Sequence, residues 1–336
     1  MRPARCLRWW TTILRSPFAV ACLLGGVMTL PIDSAEAYQR KFEQTIGETV
    51  AERPSAQYRF ERFVVESPDG VRRWRINLGI PKTAAPVNGF PAFWMLDGNA
   101  ALQVFDAALL EELAAATPQV LVFVGYDNDQ RIDSASRTRD YTPSVSVRGE
   151  GNAVEQLGGG AQAFLQTIEQ QIRPEVERRV TINPRRQALW GHSFGGLFTL
   201  DALYSGASGF QTFAPASPSL WWDHGVMLGV PERDFVAHRE RHAVRVLLML
   251  GGAERHPDYS DRDLSNPRVA SHMKRVGDAP PGAAFALSER LQTLPGLQVE
   301  YREFDGLGHG PMLRASLLYA LHAVAGVADH STDVAP

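Results

Sequence analysis

Residues 191–195, Gly-His-Ser-Phe-Gly, have the types and spacing that can activate a serine hydroxyl. An apolar run that predicts a buried strand precedes them, and a helix-forming run at 197–203 follows. A Gly-x-Ser-x-Gly turn between a strand and a helix holds its serine in a strained conformation with the hydroxyl exposed. Glycines are expected on both sides because larger side chains would clash in so tight a turn. The pattern therefore predicts a serine hydrolase of the α/β type, with Ser193 as its nucleophile.

A base must accept the proton of the serine hydroxyl, and His309 is the predicted base. In α/β hydrolases the acid and then the histidine follow the serine along the chain. Of the nine histidines, His309 lies between the last predicted strand and the last predicted helix, flanked by glycines. His192 is expected to point away from the serine. His238 and His242 fit a solvated helix face, and His322 lies on the final helix.

The acid of the predicted triad should follow the strand at 244–251. Glu254 is the first acidic residue after that strand, and Asp258 and Asp261 are alternatives in the same loop. Its role would be to orient the imidazole and to stabilise the imidazolium that forms during catalysis.

The oxyanion of the reaction needs backbone N–H donors. The residue after the nucleophile, Phe194, should supply one of them. The loop after the third strand should supply the other, and Gly98 in that loop allows the backbone to approach closely. The preceding residue, Asp97, could also cap the helix that follows.

The first 37 residues have the pattern of a secretory signal peptide. A basic segment precedes an apolar run, and Ala-Glu-Ala ends at Ala37. We therefore expect cleavage after Ala37, a single domain at 38–336, and export to the periplasm. An uncleaved N-terminal membrane anchor is the alternative, although the uncharged stretch 16–32 is shorter than the roughly 20 residues of a spanning helix.

Composition excludes several classes of protein. Both cysteines, Cys6 and Cys22, lie in the predicted leader, so the mature chain is neither a cysteine hydrolase nor a Cys-ligated zinc protein. The net charge of −3 excludes a generally basic nucleic-acid binder. We expect no metal site and no cofactor.

Alternating strands and helices predict the fold. Strands are expected at 58–66, 71–80, 92–96, 120–125, 187–191, 212–216, 244–251 and 297–304. Helices are expected at 100–116, 161–179, 193–205, 284–294 and 310–327, and irregular stretches at 127–160, 217–231 and 254–282. The first two strands should form a hairpin, and the later ones are short apolar runs typical of buried parallel strands. This pattern predicts an α/β-hydrolase fold with an eight-stranded, mostly parallel, doubly wound sheet.

Several longer motifs carry a family resemblance. They are Trp-Met-Leu-Asp-Gly-Asn-Ala at 94–100, Arg-Asp-Tyr-Thr-Pro at 139–143, Ser-Pro-Ser-Leu-Trp-Trp at 217–222 and Gly-His-Gly at 308–310. With the serine motif, they resemble the periplasmic trilactone-siderophore esterases, which are esterase-D-like α/β hydrolases. The resemblance implies hydrolysis of the ester bonds of enterobactin or salmochelin, iron-free or iron-loaded, with any iron arriving on the substrate.

The resemblance also implies which residues contact the substrate. Arg137 or Arg139 would lie near the bound catecholates, and Asp97 would lie in the same site. Trp221 and Trp222 would stack on catechol rings or pack in the core. Some members of the family work with a Ser–His pair and without a firmly placed acid. The resemblance therefore supports Ser193 and His309 more strongly than it supports Glu254.

Two other functions fit the same residues. One is a hydrolase of feruloyl-type or other small esters, or an acyltransferase, since only the acyl or acceptor pocket would differ. The other is a siderophore-binding protein without catalysis. The strained serine turn argues against the binding protein, because binding alone does not require it.

Overall fold

The computed structural model describes residues 44–144, 157–206, 208–239, 242–256, 265, 267–277, 279–280 and 282–327. The predicted signal peptide at 1–37 lies outside the described residues, as do the alternative acids Asp258 and Asp261. The described residues all belong to one compact unit.

Within the described residues, eight strands form one sheet. They are β1 (Tyr58–Glu66), β2 (Arg73–Pro81), β3 (Phe90–Met95), β4 (Val120–Tyr126), β5 (Ile182–His192), β6 (Thr212–Ala216), β7 (Val244–Gly251) and β8 (Leu297–Phe304). Their order is β1-β2-β4-β3-β5-β6-β7-β8. Strand β2 is antiparallel to both of its neighbours, and the remaining pairs are parallel. The predicted eight-stranded, mostly parallel sheet is confirmed.

The predicted hairpin between β1 and β2 is present. Gly70 has a φ of +68° and its N–H donates to the carbonyl of Ser67 at 2.8 Å. The ends of the strands differ from the predicted ones most at β5, which begins at Ile182 instead of 187.

Helices cover the sheet and join its strands. The α-helices of the described residues are α1 (Gly98–Leu102), α2 (Ala107–Ala115), α3 (Ser134–Tyr141), α4 (Ala161–Thr167), α5 (Arg173–Arg179), α6 (Phe194–Ser205), α7 (Val230–His238), α8 (Pro267–Val276), α9 (Ala283–Gln292) and α10 (His309–Ala325). A π-helical stretch, Ile168–Ile172, joins α4 to α5. Short 3₁₀ helices lie at Val50–Glu52, Trp222–Leu228 and Gly252–Arg255. No helix of the described residues is long and apolar enough to cross a membrane.

Two parts of the helix prediction are wrong. The expected helix at 100–116 is split into α1 and α2, because Asp106 caps α2 by accepting the N–H of Leu109 at 2.8 Å. The stretches expected to be irregular contain α3, α8 and the start of α7. Helix α3 is likewise capped, since Asp133 accepts the N–H of Ser136 at 2.9 Å.

The sheet is buried on both faces, and neighbouring residues of a strand enter different cores. Trp94 and Leu189 belong to one apolar cluster, while Phe93 and Trp190 belong to the other. This explains why the central strands are continuous apolar runs. Because β3, β5, β7 and β8 run parallel, the segments that follow them emerge at one edge of the sheet.

Candidate active site

The predicted nucleophile lies in a strained turn between β5 and α6. Ser193 has φ +64° and ψ −117°, and its N–H donates to the carbonyl of Ala216 at 2.9 Å. A Cβ at Gly191 would lie 2.2 Å from the carbonyl oxygen of Gly195. A Cβ at Gly195 would find its nearest neighbour at 3.5 Å, whereas one at Gly196 would lie 2.6 Å from the carbonyl oxygen of Ala216. Glycine is therefore sterically required at positions 191 and 196. The expectation that position 195 also requires glycine is wrong.

His309 and Glu254 form a hydrogen-bonded pair. His309 begins α10, and its Nδ1 lies 2.6 Å from Oε2 of Glu254, which sits just after β7. The other carboxylate oxygen, Oε1, accepts the hydroxyl of Ser217 at 2.5 Å and the N–H of Gly251 at 3.0 Å. The imidazole is 51% exposed, so it is open to a substrate, while the carboxylate side chain is only 15% exposed.

Glu254 is held in its charged form. Burial alone would raise the pKa of Glu254, but the hydrogen bond to His309, the charge of that ring, and the hydrogen bonds from Ser217 and Gly251 bring the pKa below its ordinary value. A carboxylate that is ionised at neutral pH can fix the imidazole ring and stabilise its protonated form.

The neighbourhood of Ser193 differs from expectation in one respect. Its Oγ lies 3.4 Å from Oγ of Ser219, and no hydrogen bond joins Ser193 to His309 in the part of the chain that the structure describes. His192, which is expected to point away from the serine, has its ring centroid 4.6 Å from that of His309. Burial, followed by the charges of His309 and Arg137, lowers the pKa of His192 well below its usual value. His192 is therefore a neutral neighbour of His309.

The two predicted oxyanion donors begin two helices at the same edge of the sheet. Gly98 is the first residue of α1, which follows β3, and Phe194 is the first residue of α6, which follows β5. N–H groups at the first helical position have no acceptor within the helix. A Cβ at Gly98 would lie 2.7 Å from the backbone of Phe123 and Val124 in β4. Glycine is thus required there for the loop to approach the neighbouring strand.

Asp97 and Arg137 form a buried ion pair that connects these two loops. Nε of Arg137 donates to Oδ1 of Asp97 at 3.0 Å and Nη2 donates to Oδ2 at 2.9 Å. Nη2 also donates to the carbonyl of His192 at 3.2 Å. Asp97 itself has φ +48°, makes no side-chain cap, and donates its N–H to the hydroxyl of Tyr141 at 2.9 Å.

Comparison with known proteins identifies the family. The family model described as "Putative esterase" matches residues 69–263, more than half of the chain. The apo-salmochelin esterase of Escherichia coli O6:H1 is 33% identical over 298 residues, which are 88% of this chain and 88% of that protein. The chain belongs to this esterase family. It is a carboxylic ester hydrolase with the α/β-hydrolase fold.

Further relatives agree with this assignment. The ferri-bacillibactin esterase BesA of Bacillus subtilis is 31% identical over 269 residues, 75% of this chain and 86% of that protein. The solved structure of the enterobactin and salmochelin hydrolase IroE has a TM-score of 0.63 and 32% identity, covering 82% of this chain and 99% of that one.

The placement of Asp97 and Arg137 in the esterase leaves little of either side chain open to a substrate. Their side chains are only 3% and 11% exposed, and both oxygens of the carboxylate are already paired. Arg139 is exposed on α3. Because residues two apart on a helix do not share a face, it leaves α3 in a different direction from Arg137. The structure does not bring the two arginines together.

The two tryptophans of the esterase have different environments. Trp222 is 1% exposed, donates its indole N–H to the carbonyl of Pro143 at 3.3 Å, and packs edge-on against Phe194 at 5.3 Å. Stacking of Trp222 on a substrate ring is therefore wrong, and it packs in the core. Trp221 is half-buried and its ring centroid lies 5.7 Å from that of Phe194, beside the nucleophile.

Sequence reasoning missed Ser217 and Ser219. Both are buried, and they contact Glu254 and Ser193 respectively. They belong to the motif at 217–222, which was interpreted through its tryptophans alone. Among the described residues of the esterase, no group of three or more His, Cys, Asp or Glu could hold a metal ion.

Proposed function

We propose that this esterase hydrolyses the ester bonds of a trilactone catecholate siderophore of the enterobactin type, iron-free or ferric, after export to the periplasm. The observation that carries the proposal is the pair of Glu254 and His309, 2.6 Å apart beside the strained Ser193. This pair lies in a chain that is 33% identical to an apo-salmochelin esterase over 88% of both lengths. Relatives named for bacillibactin and enterobactin support the substrate class. The signal-peptide pattern at 1–37 supports export.

The proposed reaction begins with attack by Oγ of Ser193 on an ester carbonyl. His309 takes the hydroxyl proton at Nε2 while Glu254 holds its Nδ1–H. The N–H groups of Gly98 and Phe194 stabilise the oxyanion of the tetrahedral intermediate. His309 then gives its proton to the departing alkoxide, which leaves an acyl group on Ser193. Water attacks that ester in the same way, releasing a carboxylic acid and the free serine.

One movement must precede attack. Because Oγ of Ser193 faces Ser219 in the resting protein, we expect a rotation about the Cα–Cβ bond of Ser193 to bring the hydroxyl to His309. Catalytic hydrogen bonds are often long in a free enzyme and shorten when substrate binds.

The substrate side of the site suits an aromatic acyl group. The half-buried Trp221, which packs on the buried Phe194, lies next to the nucleophile turn. Aromatic rings pack favourably on one another in offset or edge-on arrangements. Any iron would enter as part of the substrate.

The test is incubation of the mature protein with enterobactin, iron-free and iron-loaded, followed by chromatography of the linear products. We expect cleavage to shorter dihydroxybenzoyl-serine oligomers, and none with Ser193→Ala. Hydrolysis of a feruloyl or nitrophenyl ester without cleavage of the trilactone would favour the general esterase instead. Stoichiometric binding of the siderophore without product would favour a binding protein.

Export is tested separately. N-terminal sequencing of the protein from a periplasmic fraction should begin at Tyr38. Recovery of the full-length chain from the membrane fraction would instead favour the uncleaved anchor.

A further inference from the structure

Arg131 lies in the loop that follows β4, at the edge of the sheet that carries the site. Its Nε donates to Oε1 of Gln103 at 2.9 Å. Gln103 in turn donates to the carbonyl of Ile46 at 2.8 Å, and the backbone N–H of Arg131 donates to the carbonyl of Gln44 at 2.6 Å. These contacts hold the guanidinium through Nε, and within the described residues its two terminal nitrogens have no hydrogen-bond partner.

This loop is tied directly to the proposed oxyanion loop. Gln103 closes the end of α1, the helix that begins with Gly98. The side chain of Asn99 donates to the carbonyl of Gln130 at 2.9 Å, one residue before Arg131. The charge of Arg131 also acts on the buried imidazole of His192, next to Ser193, and helps to lower its pKa. Arg131 therefore borders the loop that supplies the proposed oxyanion donor Gly98.

Arg131 is half-buried and has no carboxylate partner among the described residues. Within the described residues, no Asp or Glu oxygen lies within ion-pair distance of its guanidinium, in contrast to the buried Arg137 and Arg173. Burial lowers the pKa of Arg131, and only the attraction of Asp97 opposes this. Both oxygens of Asp97 are already bound to Arg137. A partly desolvated cation without a counter-charge is costly unless an anion joins it.

Arg137 therefore takes up both oxygens of Asp97, and the guanidinium of Arg131 is attracted by that carboxylate without contacting it. We propose that Arg131 binds an anionic oxygen of the substrate, a catecholate or carboxylate, at the rim of this site. This inference rests on the proposed ester hydrolysis but not on the identity of the siderophore.

The test compares two nitrophenyl esters of similar size, one neutral and one with a carboxylate on its acyl chain. Arg131→Gln keeps a hydrogen-bond donor and removes the charge. We expect KM for the anionic ester to rise about tenfold with kcat nearly unchanged, since a hydrogen bond to a charged group has about that effect on affinity. The neutral ester should be hydrolysed as before. Arg131→Lys should recover part of the lost affinity.

The matched control is Arg185→Gln, which removes an exposed guanidinium from the first half of β5, at the opposite end of that strand from Ser193, and should change neither ester. Raising the salt concentration from about 0.05 to 0.5 M should increase KM for the anionic ester in the wild type and have little effect in Arg131→Gln. Equal losses for both esters, or an unchanged KM for the anionic ester, would overturn the assignment. If the trilactone is not cleaved but this discrimination persists, the siderophore proposal fails and the anion site stands.

Discussion

Arg137 connects Asp97 to the nucleophile turn through a two-pronged ion pair and one further hydrogen bond. The guanidinium contacts both carboxylate oxygens of Asp97 and also the carbonyl of His192, the residue before Ser193. Asp97 is next to Gly98 in the chain, and His192 lies two residues before Phe194. The side chain of Arg137 therefore sets the spacing of the two proposed oxyanion donors. Arg137 is therefore a positioning residue.

Replacement of Arg137 by methionine should reduce both stability and turnover. The change leaves the carboxylate of Asp97 buried without a partner, which costs about 3–5 kcal/mol of the free energy of unfolding. The double variant Arg137→Met/Asp97→Asn should recover much of that stability, measured by urea denaturation, but not kcat, because the connection is still missing. Full recovery of kcat in the double variant would show that the pair affects only the fold.

Ser217→Ala should remove a hydrogen bond that stabilises the charged form of Glu254, the proposed acid. Ser217 donates to Oε1 of Glu254 at 2.5 Å, and loss of this hydrogen bond should raise the pKa of that carboxyl. We expect kcat to fall about tenfold at neutral pH, a typical effect of one charged hydrogen bond, with KM nearly constant. The loss should grow as the pH falls, because the carboxyl is then protonated more readily. The control is Ser288→Ala, another fully buried serine, whose hydroxyl donates to the carbonyl of Phe285 in α9. A pH profile that keeps its shape in Ser217→Ala would contradict this role.

The two glycines of the serine motif should tolerate alanine very differently. At Gly191 the new Cβ would lie 2.2 Å from a backbone oxygen, so we expect a poorly folded or inactive protein. At Gly195 the nearest atom would be 3.5 Å away, and alanine is the better helix former by about 1 kcal/mol. Gly195→Ala should therefore fold at least as stably as the wild type, as measured by thermal unfolding. Similar damage from both substitutions would mean that the turn is tighter than described.

Asp201 should make the protein less stable at neutral than at mildly acidic pH. This carboxyl is 7% exposed in α6, accepts the side-chain amide of Gln162 at 2.7 Å, and burial raises its pKa to about 6. The folded protein holds this proton more tightly than the unfolded chain, so the contribution to stability is present at low pH and is lost as the pH rises from about 4 to 6. Asp201→Asn should remove that dependence and add about 3 kcal/mol at pH 7, since a pKa shift of one unit corresponds to about 1.4 kcal/mol.

Urea denaturation of Asp201→Asn and the wild type at several pH values measures this effect. The difference between the two free energies of unfolding should widen from about pH 4 to pH 6 and then stay constant. A difference that does not depend on pH would mean that the carboxyl titrates normally.

The strands were predictable because burial on both faces leaves a continuous apolar run, as in β4 and β7. Helix α3 was not predictable, because its sequence, Ser-Ala-Ser-Arg-Thr-Arg-Asp-Tyr, has no apolar stripe. The capping residue Asp133 is the one helix signal in this segment. Within the site, the order of acid and histidine along the chain led to Glu254 and His309, which a hydrogen bond joins. No hydrogen bond joins Ser193 to His309 in the described residues. The ion pair of Arg137 and Asp97 could not be predicted from the sequence, because this contact depends on how two loops meet at the edge of the sheet.

The neighbouring tryptophans illustrate the same limit. Trp221 and Trp222 lie at a 3₁₀ helix that contains left-handed residues at Asp223 and His224. In such a segment no regular period tells which side chain faces inward. Only the packing against Phe194 and Pro143 decides that Trp222 is the buried one.

The register of the last two strands has a consequence for how the protein acquires its activity. Gly251 at the end of β7 pairs with Phe304 at the end of β8, and this pairing is what brings the segment of Glu254 beside that of His309. The proposed nucleophile, Ser193, lies in the middle of the chain, whereas the proposed base, His309, is placed only when the C-terminal strand β8 pairs with β7. During refolding, ester turnover should therefore return no earlier than β8 pairs with β7. The return of activity in a colorimetric assay would then report when this last strand joins the sheet.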